Sequence, residues 1–111
     1  MHTCDGWQHG AIVHVRNKAD WTPLHYASSH GCLDVLQLLL EYRADADAQD
    51  NGRATPLHLA VANGKTGVAR LLLEHGPSIH ARNKDRQTPF QKASSTGTQG
   101  IMELLREHML R

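Results

Sequence analysis

Histidine is the residue type of this chain that could most readily do chemistry, since nine histidines occur in 111 residues. Imidazole rings bind transition metals and exchange protons near neutral pH. Zinc ligands usually follow each other at HxH or i, i+4 spacing, and none of these histidines does so. His14, His30, His75, His80 and His108 are expected on turns or at helix ends. The spacing predicts no metal site.

Carboxylates and hydroxyls give no better case for catalysis or ion binding. Asp45 and Asp47 alternate as in a calcium loop, but the glycine at its sixth position and the distal glutamate are absent. Ser28 and Ser29 have no histidine and aspartate placed to complete a triad. No glycine-rich phosphate loop or nucleotide fingerprint occurs. We therefore expect no enzyme activity and no cofactor.

The overall charge gives no long-range field that would draw the chain to a polyanion. Twelve basic and eleven acidic residues leave a formal charge of +1, which favours neither nucleic acid nor a membrane. Apolar runs such as Leu38 to Leu40 are far too short to span a bilayer, and the first ten residues resemble no signal peptide. Two cysteines without CxxC spacing favour an intracellular compartment, cytoplasmic or nuclear.

A repeated hexapeptide sets the organisation that must position these side chains. Thr22, Thr55 and Thr88 begin the segments TPLHYA, TPLHLA and TPFQKA at intervals of 33 residues. Glycines follow in the same phase, and so does an apolar pattern further along each unit. The chain therefore contains three full units, which begin near Asn17, Asp50 and Asn83.

Each unit predicts two helices and a connecting turn. Thr22 suits an N-cap and Pro23 the first helical position, so a helix is expected to run to about Ser29. Gly31 then offers a left-handed stop, as Gly64 and Gly97 do in the later units. An apolar stripe predicts a second helix from 33 to 42. The segments between units, rich in Asp, Asn and Gly, are expected to fold as a turn or hairpin.

The 33-residue period with its T-P-L-H-x-A signature resembles the ankyrin repeat. The resemblance implies a mainly α solenoid of stacked helix-turn-helix units with β-hairpin or turn fingers, in which neighbouring units share their core. It also implies that His25 and His58 hydrogen-bond the motif threonine and the adjacent loop. We expect one domain over 1–111, with a partial repeat at 1–16 and full repeats at 17–49, 50–82 and 83–111.

The two ends of the array depart from the pattern in different ways. Gln91, Lys92 and Arg106 replace less polar residues of the earlier units, which predicts that the last unit is a C-terminal cap. At the other end, the residues around Trp7 make a poor second helix. Either Trp7 alone covers the first full unit, or the array is truncated there and leaves an apolar face uncovered. We favour truncation and expect self-association through that end.

The resemblance places a protein-binding surface on the concave side, formed by finger tips and the exposed side of each first helix. Trp21 stands out because large aromatic residues dominate many interfaces. It could instead pack against the neighbouring finger. His108 stands at the end of the second helix of the third unit, as Tyr42 and His75 do in the first and second units. The predicted partner-binding residues are Lys18, Trp21, Ser29, His30, Tyr42, Asn51, Ala54, Asn63, His75, Lys84 and Gln87.

Two functions fit this surface. The first is an adaptor that recognises a protein or peptide through the concave side. The second is a structural or targeting piece of a longer array attached to an effector or enzyme domain. A nucleic-acid partner is opposed by the near-neutral charge and the five aromatic residues. Fold class does not choose between the first two, because such surfaces serve many partners.

Overall fold

A computed structural model describes residues 20–76 and 79–109 of the chain. This part contains six α-helices and no strand, and none of its helices is long and apolar enough to cross a membrane. The partial repeat at 1–16, Lys18 and the expected N-terminal self-association face lie outside the described residues. In chain order the helices are α1 (Pro23–His30), α2 (Leu33–Glu41), α3 (Pro56–Ala62), α4 (Thr66–Glu74), α5 (Pro89–Thr96) and α6 (Gln99–Met109).

The helices pack as three consecutive pairs in two layers. Within each unit the first helix contacts the second, so α1 packs on α2, α3 on α4 and α5 on α6. The first helices α1, α3 and α5 also contact each other in sequence, and so do the second helices α2, α4 and α6. The mainly α solenoid expected from the sequence is confirmed.

Each first helix begins with the same capping box. The hydroxyls of Thr22, Thr55 and Thr88 accept hydrogen bonds from backbone N–H groups in the first turn. In return, the side chain three residues later contacts the N-cap N–H, and a proline occupies the first helical position. These local contacts explain why the helices begin where the hexapeptide predicts.

Glycines end the first helices, as expected. Gly31 and Gly97 cap α1 and α5 in the left-handed conformation, with φ of 74° and 73°, and Gly64 follows the C-cap of α3 with φ of 66°. A glycine adopts this region without a steric penalty. The second helix α2 stops at Glu41, one residue earlier than predicted, and Tyr42 is its C-cap.

The core lies between the two layers and is shared between units. Leu24 and Leu57 of the first layer and Leu36 and Leu72 of the second are completely buried. Burial of each such side chain stabilises the fold by about 1.5–3 kcal/mol. In the third unit Ile101 and Leu105 are also buried, and the residues predicted to form a polar cap lie at the surface, with Gln91 and Arg106 exposed.

The connections between units form tight turns, which we call the second finger (residues 50–54) and the third finger (residues 83–87). In the second finger Asp50 N–H donates to Ala54 O at 3.0 Å, and in the third Asn83 N–H donates to Gln87 O at 3.0 Å. The turn alternative of the sequence analysis therefore describes the fingers, since no strand occurs in the described part.

Both fingers contain a left-handed residue that is not glycine. Arg53 and Arg86 have φ of 59° and 64°, and Asp20 holds φ of 64° one period earlier. Arg43, after α2, is also left-handed with φ of 65°. For a residue with a Cβ this conformation costs about 1–2 kcal/mol.

Candidate functional site

Two buried histidines join the first helices α1 and α3 to the finger of the next unit. The Nδ1 atom of His25 accepts a hydrogen bond from Thr22 N–H at 3.1 Å, so Nε2 carries the proton and donates to Ala54 O at 2.8 Å. His58 repeats both contacts, with Thr55 N–H at 3.2 Å and Gln87 O at 2.8 Å. The histidine contacts implied by the family resemblance are thus present.

Burial favours the neutral form of the His58 ring. Desolvation lowers the pKa of His58 below its ordinary value of 6.5, although the hydrogen bond to Gln87 and the charge of Asp50 act in the opposite direction. A neutral imidazole is the form that this geometry needs, because Nδ1 must accept a hydrogen bond. The ring acts as a structural link.

Asp50 organises the second finger and holds Trp21. Its Oδ1 atom accepts from Gly52 N–H at 2.8 Å and Ala54 N–H at 2.9 Å. Its Oδ2 atom accepts from the indole Nε1–H of Trp21 at 2.9 Å. The carboxylate therefore shapes its own turn and joins it to the preceding unit.

The indole of Trp21 is half-buried and its N–H edge is used inside the protein. The ring stacks beside His25 with a centroid distance of 6.4 Å and an interplanar angle of 15°. Together with the bond to Asp50, this stacking favours packing against the neighbouring finger over a role as an open anchor. Part of the ring surface remains exposed.

The exposed ends of α1 and α3 lie side by side. His30 stacks on Tyr26 with centroids 4.2 Å apart, and its Nδ1 atom contacts Tyr26 O at 3.0 Å. Asn63 donates to Leu59 O at 2.8 Å and to Ser29 Oγ at 3.3 Å, across the two units. Three predicted binding residues, Ser29, His30 and Asn63, are thus brought together with Tyr26, which the prediction did not include.

The fingers present side chains on a fixed backbone. Ala54 and Gln87 are half-buried, and their backbone groups are bonded within the turn and to the preceding histidine. Asn51 and Lys84 are exposed at the finger tips, and Lys84 N–H donates to Gly52 O at 2.8 Å. This bond ties the third finger to the second.

The remaining predicted residues belong to the second-helix layer. Tyr42 and His75 are the exposed C-caps of α2 and α4, and His75 Nδ1 contacts Leu71 O at 3.1 Å. His108 lines an open groove of about 470 Å³ between α4 and α6. That groove has mixed charge, with Leu73 and Leu104 among two glutamates, an arginine and the histidine. Its lining residues are Arg70, Leu73, Glu74, Leu104, Glu107 and His108.

Within residues 20–76 and 79–109, no three His, Cys, Asp or Glu side chains converge in a way that could hold a metal ion. The prediction missed Asp50 as the acceptor for Trp21. The bonds from Trp21 to Asp50, His25 to Ala54 and His58 to Gln87 each span 29 residues, an offset that the 33-residue period does not reveal.

Parts of the chain are similar to segments of larger proteins. It is 54% identical over 39 residues to the serine/threonine-protein kinase VIK of Arabidopsis thaliana, which is 35% of this chain and 9% of the kinase. It is 43% identical over 44 residues to protein phosphatase 1 regulatory subunit 27 of Homo sapiens, which is 40% of this chain and 29% of that subunit. The counterpart in Mus musculus is 41% identical over 44 residues. Each match spans less than a third of the relative.

A family model supports the assignment over more than half of the sequence. The model for ankyrin repeats in many copies matches residues 7–40 and, in an overlapping match, residues 24–73. The third unit lies beyond these matches, yet α5 and α6 repeat the capping box, the glycine stop and the helix pairing of the first two. From the family match and the repeated architecture together, the chain belongs to the ankyrin-repeat family.

Proposed function

We propose that this chain is a non-enzymatic module that recognises a protein or peptide through its finger tips and the exposed ends of its first helices. Ankyrin repeats are protein-interaction units, and one group of similar proteins consists of regulatory subunits by name. One observation supports the placement of the binding surface at the finger tips and first-helix ends. The backbone there is fixed by bonds between units, while side chains such as Lys84 remain exposed.

This arrangement suits recognition because the ordering cost of a binding surface is partly met before the partner arrives. His58 and Asp50 already hold the turns of the second and third fingers. A partner then has to order only the exposed side chains, which preserves more of the contact energy for affinity.

A second function follows from the kinase relative. A segment of this kind occupies 9% of that kinase, so an ankyrin array can be one part of a larger enzyme. In this role the same surface would position an attached effector or its target. Both functions require protein recognition, and they differ in whether a catalytic domain is attached to the module.

Two substitutions by tryptophan, one on the proposed surface and one on the second-helix layer, test the placement of the surface. Ala62 is exposed at the end of α3, beside the Asn63 to Ser29 contact, whereas Gln37 is exposed on the second-layer helix α2. A partner is first identified by crosslinking to the wild-type chain and then purified for calorimetry. We expect Ala62→Trp to weaken binding by at least about tenfold and Gln37→Trp to change it by less than about twofold.

The reverse pattern would refute the placement of the surface. Equal affinity of the wild type and Ala62→Trp, with loss in Gln37→Trp, would move the contact to the second-helix layer. Circular dichroism of both variants checks that each retains the helical content of the wild type.

A further inference from the structure

Three exposed cations lie on the edge formed by the second and third fingers. Arg53 belongs to the second finger, and Lys84 and Arg86 belong to the third. The backbone bond from Lys84 N–H to Gly52 O, at 2.8 Å, holds the two turns together. The Lys84 side chain lies along the second finger. A Cβ atom added to Gly52 would be 3.7 Å from Lys84 Cδ and 3.9 Å from Lys84 Cε.

These cations are not neutralised by contacts within the described part of the chain. Over residues 20–76 and 79–109, no ion pair engages Arg53, Lys84 or Arg86. The same fingers contain two carboxylates. That of Asp50 is bonded to three donors and faces Trp21, and that of Asp85 is exposed beside the cations. The cations thus outnumber the carboxylates on this edge.

The two arginines also occupy costly backbone positions. Arg53 and Arg86 are one period apart and both are left-handed, where glycine would be relaxed. Strained residues of this kind collect at binding sites, where the side chain contributes more than local stability. A guanidinium is the side chain best suited to a carboxylate, which it binds through two parallel hydrogen bonds.

The spacing of the fingers selects the shape of the ligand. The first helices of neighbouring units contact each other. Packed helices lie about 8–10 Å apart, so we expect equivalent residues on neighbouring units to repeat at about that distance. A polyproline II segment places every third side chain on one face, with a repeat of about 9 Å. An extended acidic segment of this type would bring one carboxylate to each arginine.

We propose that Arg53 and Arg86, with Lys84 bridging their fingers, bind carboxylates at every third residue of an acidic polyproline II segment in a protein partner. This inference rests on the proposed function and specifies the chemistry of its ligand. Lys84, a compact charge on a flexible stem, interacts with the segment between the two arginine contacts.

Two labelled peptides of equal composition test the spacing. One repeats Glu-Pro-Pro, and the other joins all its glutamates in one block before the prolines. Fluorescence anisotropy measures their affinity for the full chain at low and physiological salt. We expect the spaced peptide to bind at least about tenfold more tightly, and its affinity to fall as salt rises.

Three arginine substitutions test the site. The double variant Arg53→Gly/Arg86→Gly should lose at least about tenfold in affinity for the spaced peptide and lose the preference over the block peptide. The matched control is Arg43→Gly, which also removes an exposed, left-handed arginine but follows α2 outside the fingers. It should stay within about twofold of the wild type, which separates the site from net charge and from relief of strain.

Several outcomes would overturn the inference. Equal binding of the two peptides would do so, and so would full affinity in the double variant or tighter binding of a thymidine oligonucleotide than of the spaced peptide. A purified partner that is lost by Ala62→Trp but bound fully by the double variant would overturn this inference alone and support the proposed surface.

Discussion

The contact between Trp21 and Asp50 can be removed without disturbing the turn that Asp50 forms. Replacing Asp50 by asparagine keeps an oxygen for Gly52 N–H and Ala54 N–H, which now bond to Oδ1 at 2.8 and 2.9 Å. It puts an amide N–H₂ opposite the indole N–H, so two donors face each other. The substitution therefore isolates the bond between units.

The magnitude follows from burial and charge. A hydrogen bond to a charged group contributes about 1.5–3 kcal/mol, but both side chains are half-buried and water competes for them. We expect Asp50→Asn to lower the free energy of unfolding by about 1 kcal/mol. Asp50→Ala also removes the acceptor for two backbone N–H groups and should cost about 2 kcal/mol.

A double-mutant cycle in urea measures the coupling. Trp21→Phe keeps an aromatic ring beside His25 but has no N–H, so Asp50→Asn should be nearly neutral in that background. Unfolding is followed by circular dichroism at the helical band, because Trp21→Phe changes the fluorescence. Asn83 provides the control, because it is the equivalent of Asp50 in the next unit. The equivalent of Trp21 there is Ala54, which has no side-chain donor. Asn83→Asp should therefore have little effect.

One result would refute the reasoning. If Asp50→Asn costs the same with Trp21 and with Phe at that position, the indole bond contributes nothing measurable to stability. The loss would then have to come from the turn itself.

Three further substitutions probe other features of the fold. Ser28 Oγ is buried without a hydrogen-bond partner in the described residues, so Ser28→Ala should raise the free energy of unfolding, measured in urea, by about 0.5–1 kcal/mol. Ser94 is exposed at the equivalent position, and Ser94→Ala should leave the stability unchanged. A loss of stability with Ser28→Ala would contradict this prediction. Arg43→Gly removes the strain of a left-handed residue but raises the conformational entropy of the unfolded chain. We expect a net rise of about 0.5–1 kcal/mol in the free energy of unfolding by the same assay. A fall would show that Arg43 is not strained. Burial lowers the pKa of His58 below 6.5, so the stability that its neutral ring provides is complete above pH 6.5 and is lost as the pH falls through the folded pKa. His58→Gln, which introduces the residue type that Gln91 provides in the third unit, should make the urea midpoint less sensitive between neutral and mildly acidic pH; an unchanged slope would show that His58 does not titrate with unfolding.

The features predicted correctly from the sequence are those fixed by contacts within a few residues. Thr22 starts a helix by accepting a bond from the first turn, Pro23 occupies the first helical position, and Gly31 ends the helix in the left-handed conformation. Such signals need no knowledge of tertiary structure. They recur with a constant period, which also predicts that the units stack.

The contacts between units were harder to predict because a period aligns equivalent residues only. The bond from Trp21 to Asp50 joins different positions of adjacent repeats, and its partner depends on how the finger leans over the preceding helix. The strained fingers were hidden for another reason. Arg53 and Arg86 occupy positions whose conformation suits glycine, so their residue type gave no sign of the left-handed turn.

In the second and third fingers the backbone makes the contact with the preceding unit, so any specificity of these fingers lies in their side chains. Ala54 and Gln87 are held through their carbonyls, which His25 and His58 bind, so their side chains can vary without loss of the contact. Trp21 differs because its side chain itself bonds the next finger. A change of Trp21 is therefore expected to alter stability, whereas a change of the Ala54 or Gln87 side chain leaves the carbonyl contact in place. Under the proposed function, partner choice is therefore better sought in these two fingers than at Trp21.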